Sequence, residues 1–492
     1  MNLRILAKIL GMLLCLIALA MAACGGYAAY EMSFDPGAGR LGLKALGWGT
    51  AVTLFAGLGL FFLGRRSGNE VLRREAIVTV GLGWMLSALF GGIPFLFGPA
   101  ALSFVGAFFE SMSGFTTTGS TVITDLDVWP RSILLWRSVT QWLGGIGIVV
   151  LFVAVLSFLG VGSRSLVAHE SSLNFSEATA SRIRDTAKTL LFIYVGLTAV
   201  CGVGLWMLGM TPFEAVNHAM TALSTGGFST ENKSIAAFES LPMELWLGLF
   251  MLLGGFSFML YVFVARRRWG RLRAEEEARY YFLLLLVVSV VIGLDLWLVG
   301  QTGDFVTGWR KAFFTVISIS TTTGFGTEDY DQWPTFSRLL LLGLMAIGGC
   351  AGSTAGGMKM NRMVLFAKIG VQELVKSYRP NQVFRLTLNG GTPDQSVRLQ
   401  TTLFLAFAFG TCGVAALGVA LLEPDFDPST AFGAVLATLF NIGPGMELVG
   451  PTDNYAALNP GTLILLSLLM ALGRLEFFAV LVLFLPSLWR KY

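Results

Sequence analysis

The sequence predicts an all-α polytopic membrane protein in which four fused helix–pore-loop–helix repeats surround a central pore. Of its 492 residues, 54% are hydrophobic and only 13% are charged, whereas ordinary soluble domains have roughly 25% charged residues. Many apolar runs reach the roughly 18–20 residues that a helix needs to cross a bilayer. A short stretch of small residues also recurs at a near-fixed period, and such self-similarity predicts a repeat architecture.

The recurring stretch has hydroxyl or amide side chains followed by glycine. Its copies read SMSGFTTTGST at 111–121, TALSTGGFST at 221–230, SISTTTGFGT at 318–327 and TLFNIGPGM at 438–446. We align Gly119, Gly226, Gly324 and Gly443, which are 107, 98 and 119 residues apart. One copy alone would be an ordinary tight turn between helices, but four copies in the same context predict a shared role.

Each copy follows a long apolar helix and a half-length helix and precedes an acidic loop and a closing apolar helix. The long helices are predicted over 75–98, 184–210, 280–300 and 399–422, and the half-length helices over 102–114, 212–224, 309–321 and 428–440. The repeats are placed at 70–165, 166–274, 275–380 and 381–492, after two transmembrane helices in 1–69. Ten spanning helices result, and we expect the first to be retained rather than cleaved as a signal peptide.

The distribution of charge predicts the orientation. Lys and Arg cluster between the repeats, and acids such as Glu110 flank the glycine stretches. Because cytoplasmic loops are enriched in Lys and Arg, both termini are expected in the cytoplasm and the glycine stretches on the outer side. The arginine-rich cluster 266–273 is expected to contact lipid head groups, and docking of a partner is the alternative.

Non-helical backbone at membrane depth must line a cavity or be buried in protein. Glycine permits positive φ and removes the side chain, so carbonyl oxygens can turn toward a shared axis. Rings of carbonyls replace the water shell of an alkali cation, and half-helices entering from outside point their partially negative ends at the membrane centre. These features favour passage of a cation.

The motifs TTTG at 116–119, STGGF at 224–228, TTTGFGT at 321–327 and NIGPG at 441–445 resemble the four pore loops of the Trk/Ktr/HKT potassium transporter superfamily. GGCAGSTAGGMK at 348–359 and GRLE at 473–476 resemble its bacterial Trk-type pore-forming membrane subunit. The resemblance covers nearly the whole chain. It implies a potassium-channel-like fold with K⁺ as the transported ion.

The resemblance assigns three K⁺-coordinating filter residues to each repeat. They are Thr117, Thr118 and Gly119; Ser224, Thr225 and Gly226; Thr322, Thr323 and Gly324; and Asn441, Ile442 and Gly443. In the superfamily, serine at the first of these glycines goes with Na⁺ transport, so Gly119 favours K⁺. Because the fourth repeat departs from the threonine pattern, its side of the ring is expected to differ.

The closing helix of the third repeat is expected to be interrupted, because 348–357 contains five glycines in ten residues. The resemblance makes this segment an intramembrane gate, whose mobility would follow from few side-chain contacts and exposed backbone groups. Close helix packing through small residues is the alternative. The gate residues are Gly348, Gly349, Gly352, Ser353, Thr354, Gly356, Gly357 and Lys359.

Arg474 lies within the apolar run 463–485, and an ionisable residue inside the membrane is a functional candidate. Glu476 would not share its helix face, so partners elsewhere are expected. A structural ion pair is one interpretation, and the resemblance favours a barrier in the pore that limits cation flux. His218 is expected to pack or form hydrogen bonds in the second half-helix rather than to sense pH.

The resemblance also implies partners: a homodimer in the bacterial inner membrane, and a cytosolic nucleotide-binding ring of the RCK type that controls the gate. No nucleotide is expected to bind this chain, since it has no GxxxxGK[ST] motif, and no nucleic-acid partner is expected. An intramembrane enzyme is disfavoured, because no carboxylate pair, metal set or nucleophile with a base is found. An ion-coupled cation symporter with broken helices stays open, although that class usually has inverted repeats.

Overall fold

The computed structural model describes residues 2–67, 73–147, 180–382, 386–389, 391–475, 477 and 485–486. This part of the chain is helical, with two isolated β-bridges and no named strand. The chain begins with a hairpin of two long helices, α1 (Leu3–Glu31) and α2 (Pro36–Gly64). Its two helices approach closely, because a Cβ at Gly11 would overlap the α2 backbone. Helix α1 also packs against the first repeat and is part of the core.

Each repeat contains a long helix followed by a half-length pore helix, as the sequence predicts. The long helices are α3 (Arg73–Gly91), α6 (Ala180–Met207), α11 (Glu277–Leu298) and α15 (Gln395–Leu422). The pore helices are α4 (Phe104–Phe115), α7 (Pro212–Leu223), α12 (Phe305–Ser320) and α16 (Pro428–Leu439). Helix α12 begins four residues before its predicted start because the Asp304 side chain accepts the Thr307 N–H and caps it.

The closing segments are α5 (Arg131–Ile146), α8 (Leu241–Gly255) with α9 (Phe258–Ala265), α13 (Thr335–Met345) with α14 (Met360–Tyr378), and α17 (Pro460–Arg474). In the third repeat, α13 ends at Met345 and α14 begins at Met360. The second closing segment also breaks, since α8 and α9 meet at 91°; a continuous helix was expected there. The reason is that the carbonyls of Gly254 and Gly255 accept hydrogen bonds from the loop after α13. A short helix, α10 (Trp269–Ala274), follows α9.

The chain is a multi-pass membrane protein. Among the described residues, six helices are long and apolar enough to cross a membrane, or seven if α8 and α9 form one bent span. The ten predicted spans also count the closing segments of the first, third and fourth repeats. Helix α13 is short, and most of the sequence after α5 and after α17 lies outside the described residues.

Buried carboxylates fix the N-terminal ends of two closing helices. Glu31 accepts the backbone N–H groups of Arg131 and Ser132 at 2.7 and 3.1 Å, at the start of α5. Glu423 accepts the Asn459 N–H at 2.7 Å, just before α17. A negative charge at a helix N-terminus is stabilising, so these contacts fix where α5 and α17 begin.

Candidate ion-conduction site

The four glycine stretches, which we call the pore stretches, share one backbone conformation. In each, the second residue after the pore helix is left-handed, with φ between +53° and +57°; these residues are Thr117, Thr225, Thr322 and Asn441. Two residues later comes a glycine with positive φ; these are Gly119, Gly227, Gly324 and Gly443. A left-handed residue other than glycine costs on the order of 1 kcal/mol or more, so its recurrence in all four repeats indicates a shape that the surrounding structure maintains.

In the second repeat, the backbone register differs by one residue from the sequence alignment. Helix α7 ends at Leu223 and Ser224 is its cap residue, so Ser224 corresponds to Thr116 rather than Thr117. Gly227, and not Gly226, therefore has the position of the other three ring glycines. Either of two adjacent glycines satisfies the sequence pattern, and only the end of the helix distinguishes them.

The four stretches contact one another in a closed cycle. The Cα of each positive-φ glycine lies so close to a carbonyl oxygen of the next repeat that an added Cβ would overlap it or press hard against it. The pairs are Gly119 with Gly226 O, Gly227 with Thr323 O, Gly324 with Ile442 O, and Gly443 with Thr118 O. Since the fourth contact returns to the first repeat, the stretches enclose one axis. We call these four glycines and the four carbonyls the glycine ring.

Two side-chain oxygens on the stretches that form the glycine ring have no hydrogen-bond partner among the described residues. Thr117 Oγ1 and Asn441 Oδ1 are buried, and neither has a hydrogen-bond partner in the described part of the chain. Uncharged oxygens around an axis are what a dehydrated alkali cation requires. Among the residues described, no cluster of three or more His, Cys, Asp or Glu side chains could hold a metal ion.

Repeats one and three are most alike at the ring. The hydroxyls of Thr116 and Thr118 form a hydrogen bond of 2.7 Å, and so do the hydroxyls of Thr321 and Thr323, also at 2.7 Å. In the fourth repeat Asn441 instead donates to Thr118 Oγ1 at 2.9 Å and to Met470 O. The predicted difference of the fourth side is therefore present in the geometry.

Glu110 was counted among the acids at the outer mouth, but it is completely buried behind the first pore loop. It pairs with Arg137 of α5 at 2.8 Å and accepts the Val122 N–H at 3.0 Å. Arg137 and Gln141, one turn further along α5, were missed in the sequence. The available signal was a charged and an amide side chain at i and i+4, on one face of a helix predicted to lie in the membrane.

Residues 346–359 form a loop that lies against the glycine ring; we call it the 346–359 loop. The Gly356 N–H donates to Thr322 Oγ1 at 2.6 Å, and Thr354 Oγ1 donates to Leu223 O at 2.9 Å. A Cβ at Gly356 would lie 2.6 Å from Phe440 O. The loop therefore touches the second, third and fourth repeats at the point where their pore helices end.

Exposed backbone was expected in this loop, yet most of it is buried and hydrogen-bonded. Cys350 N–H donates to Gly255 O at 2.9 Å, and Thr354 N–H donates to Gly254 O at 3.2 Å. At its ends, Gly348 N–H donates to Met358 O and Met360 N–H to Gly349 O. Gly352 and Gly357 have positive φ, Ser353 and Thr354 are buried, and Lys359 contacts Ala355 O. Moving the loop away from the ring would break these hydrogen bonds.

Two further side chains hold the 346–359 loop. The buried carboxylate of Glu277, unnoticed in the sequence, accepts the N–H groups of Ala351 and Asn361 at 2.7 and 2.9 Å. Arg474, the last residue of α17, donates to Thr354 O at 2.8 Å and to Gly144 O at 3.3 Å. Arg474 thus joins the loop of the third repeat to the closing helix of the first.

His218 of α7 has the surroundings expected for a packed, hydrogen-bonded histidine. Its ring is buried, and its two nitrogens lie 2.9 Å from Glu214 O and 2.9 Å from Ser229 Oγ. Both nitrogens are satisfied by neighbours in the second repeat, so the ring supports the pore loop from behind.

Comparison with known proteins identifies the family. The model of the TrkH cation transport proteins matches residues 48–491. The chain belongs to the TrkH family of cation transport proteins. This TrkH-family chain is 36% identical over 495 residues to the Trk system potassium uptake protein TrkH of Salmonella typhimurium, with all of both chains covered. The corresponding protein of Halomonas elongata is 38% identical over 503 residues, again with complete coverage.

A solved structure has the same fold as this TrkH-family chain. The crystal structure of the potassium transporter TrkH from Vibrio parahaemolyticus superimposes with a TM-score of 0.86 at 34% identity, and 100% of each chain is covered. The resemblance seen in the sequence and the predicted fold class are thereby confirmed. The family is one of transport proteins, in agreement with the prediction that the chain is not an enzyme.

Asp331 lies in the acidic loop of the third repeat, against the turn that follows the fourth pore stretch. Its Oδ2 accepts the Glu447 N–H at 3.0 Å. Burial raises the pKa of this carboxyl from 3.8 to about 6; the neighbouring charges of Asp329 and Glu447 also raise it, while the Glu447 N–H and Arg338 lower it. The charged form of this carboxylate is therefore less favourable in the folded chain than in the unfolded chain.

This pKa predicts the pH dependence of stability. The folded chain binds the Asp331 proton more tightly than the unfolded chain, so this contribution is complete below the ordinary aspartate pKa of about 4 and is lost as the pH rises through about 6. Asp331→Asn keeps an acceptor for the Glu447 N–H and has no charge to bury. We expect it to unfold a few degrees above wild type at neutral pH, with the difference disappearing on acidification. Thermal unfolding in detergent measures this, and a pH-independent difference would contradict it.

Proposed function

We propose that this chain is a K⁺ uptake protein and that the glycine ring is its selective permeation pathway across the bacterial inner membrane. The closed cycle of glycine–carbonyl contacts carries this proposal, because it brings four oxygen-rich stretches around one axis. The relatives named above are potassium uptake proteins, and K⁺ is accordingly the ion that we assign here. Four glycines without side chains keep the axis open.

The coordinating set follows the sequence-based assignment, with Gly227 added in the second repeat. Carbonyl oxygens at Thr118, Gly226, Thr323 and Ile442 have equivalent places in the ring. The unpartnered oxygens of Thr117 and Asn441 supply further ligands on the same stretches. The partially negative C-terminal ends of four pore helices point to the same region and favour a cation there.

The 346–359 loop is proposed as the gate. It touches three of the four pore stretches, and Arg474 fixes it to the first repeat. In this closed arrangement Arg474 adds a positive charge to the conduction path, which opposes cation entry. Because many hydrogen bonds hold the loop, opening it needs an external source of free energy, and a cytosolic nucleotide-binding ring of the RCK type is the proposed source.

The cytoplasmic side is proposed to be the one with α10. The arginines in 266–273 are exposed, and Trp269 beside them is 53% exposed. Arginine with tryptophan at the end of a membrane segment suits anionic lipid head groups. Cytoplasmic termini and a homodimer complete the proposal and rest on the resemblance.

Growth of a K⁺-uptake-deficient bacterium tests the proposed function. Expression of the chain together with its regulatory subunit should restore growth at low K⁺, and the purified chain in vesicles should take up K⁺ in preference to Na⁺. A Met251→Leu variant serves as the expression control, because it replaces a buried residue of α8 with one of similar volume. Failure to restore growth by a chain that reaches the membrane would reject K⁺ uptake.

A further inference from the structure

Gln141 of α5 holds the second pore stretch on both sides of Gly227. Its Nε2 donates to Gly226 O at 2.6 Å, and its Oε1 accepts the Phe228 N–H at 3.0 Å. The side chain is completely buried. Since an N–H group must face an oxygen, the Phe228 bond fixes which end of the amide points to Gly226. A side chain of the first repeat therefore clamps the ring glycine of the second.

Gly226 O differs from the other three carbonyls of the glycine ring. Within the described ranges, no donor reaches the carbonyl oxygens of Thr118, Thr323 or Ile442. A carbonyl oxygen has two lone pairs, and the Gln141 amide occupies one of them at Gly226. A cation in the ring would meet three carbonyls set by backbone geometry and one whose position is set by a side chain.

Arg137, one turn before Gln141, supports the same clamp. Its guanidinium carbon lies 4.0 Å from the centre of the Phe228 ring, and its Nη1 donates to Ser229 O at 3.3 Å. The ion pair with Glu110 keeps the guanidinium in place, and Glu110 also accepts the hydroxyl of Thr121 in the first pore stretch at 3.0 Å. One face of α5 thus joins the first two pore stretches to each other.

The second repeat shows that packing alone does not demand polar side chains here. In α8, Leu247 and Met251 precede the Gly-Gly pair at the same spacing as Arg137 and Gln141 in α5. Both are completely buried, as Gln141 is. An apolar side chain can therefore occupy this helix position, and packing alone does not explain the Gln141 amide in α5.

We propose that Gln141 is a positioning residue that sets the cation selectivity of the glycine ring by fixing the Gly226 carbonyl, with Arg137 and Glu110 as its anchor. The inference rests on the proposed K⁺ conduction. A ring distinguishes K⁺ from Na⁺ through the number, placement and field of its carbonyl oxygens. Without the Gln141 hydrogen bond, the Gly226 carbonyl oxygen can move closer to a bound Na⁺, which is smaller than K⁺. Discrimination between K⁺ and Na⁺ therefore falls, while conduction persists.

Gln141→Met tests this by installing the residue that α8 uses at the same position. Flux of K⁺ and Na⁺ is measured in vesicles containing the full chain. We expect the K⁺/Na⁺ flux ratio to fall by about threefold to tenfold, the effect of losing one buried hydrogen bond at the ion. Met251→Leu, the matched control, should leave the ratio at its wild-type value. Gln141→Glu, which keeps the acceptor for Phe228 and lacks the amide donor, should lower the ratio as well.

Thermal unfolding of the detergent-solubilised full chain in K⁺ or Na⁺ separates positioning from support of the fold. A purely structural role would lower the midpoint equally in both salts, whereas a positioning role lowers mainly the extra stabilisation by K⁺. The inference would be wrong, and the proposed function would stand, if the wild type preferred K⁺ and the Gln141 variants kept both its flux ratio and its K⁺-specific stabilisation. A wild type without K⁺ preference in either assay rejects the proposed function, and the inference with it.

Discussion

Gly227→Ala is expected to abolish K⁺ uptake. The residue has φ of +75°, which a side chain tolerates poorly. Its added Cβ would overlap the carbonyl oxygen of Thr323, which is backbone and cannot turn away alone. The third pore stretch would have to move, and with it the carbonyl that the proposed pathway offers to the ion. Uptake of K⁺ or Rb⁺ by cells with equal amounts of membrane-inserted protein measures the loss.

Gly226→Ala is the matched comparison, because the sequence alignment assigned Gly226, and not Gly227, to the ring. Its φ is not positive, and its added Cβ would meet the side-chain amide of Gln141, which has rotatable bonds. We expect reduced uptake with weaker ion preference rather than complete loss. If Gly226→Ala were the inactive variant and Gly227→Ala the active one, the backbone register described here would be wrong.

The order of elements within each repeat could be predicted because its signals are local. Apolar runs, half-length helices and glycines follow one another along the chain, and hydropathy alone separates them. The choice between Gly226 and Gly227 depends on where α7 ends. Helix ends are set by caps within one or two residues, so adjacent glycines leave the register undetermined.

The contacts that hold the ring could not be predicted, because they join distant residues. Glu110 looks like an outer acid until α5 places Arg137 beside it. Glu277 begins an apolar helix, and only the path of the 346–359 loop brings the Ala351 N–H to its carboxylate. The glycines of that loop indicated flexibility. Instead, their lack of side chains lets backbones approach and form hydrogen bonds.

The break between α8 and α9 has the same origin. The second repeat has the Gly254-Gly255 pair but not the five glycines in ten residues of the third, so a continuous helix was expected. The carbonyls of Gly254 and Gly255 accept hydrogen bonds from the N–H groups of Thr354 and Cys350, so they do not accept the bonds that would continue the helix. The two interruptions are therefore one feature, a joint between neighbouring closing segments at the glycine ring.

Arg474→Ala is expected to raise K⁺ flux through the chain. The substitution removes the donors to Thr354 O and Gly144 O and the positive charge. A hydrogen bond from a charged group contributes about 1.5–3 kcal/mol, and 1.4 kcal/mol is tenfold in an equilibrium. Loss of the Thr354 contact alone should therefore favour the displaced loop by about tenfold or more. Flux without the regulatory subunit measures this directly.

Arg474→Lys separates the two roles that the structure permits for this residue. Lysine keeps the charge but cannot direct two nitrogens to two carbonyls as the planar guanidinium does. If the charge is the main barrier, Arg474→Lys should keep the low wild-type flux. If the link between Thr354 and Gly144 holds the loop, flux should approach that of Arg474→Ala. A folded Arg474→Ala protein with wild-type flux and wild-type dependence on the regulatory subunit would exclude both roles, and the gate would then rest on Glu277 and the hydrogen bonds to α8.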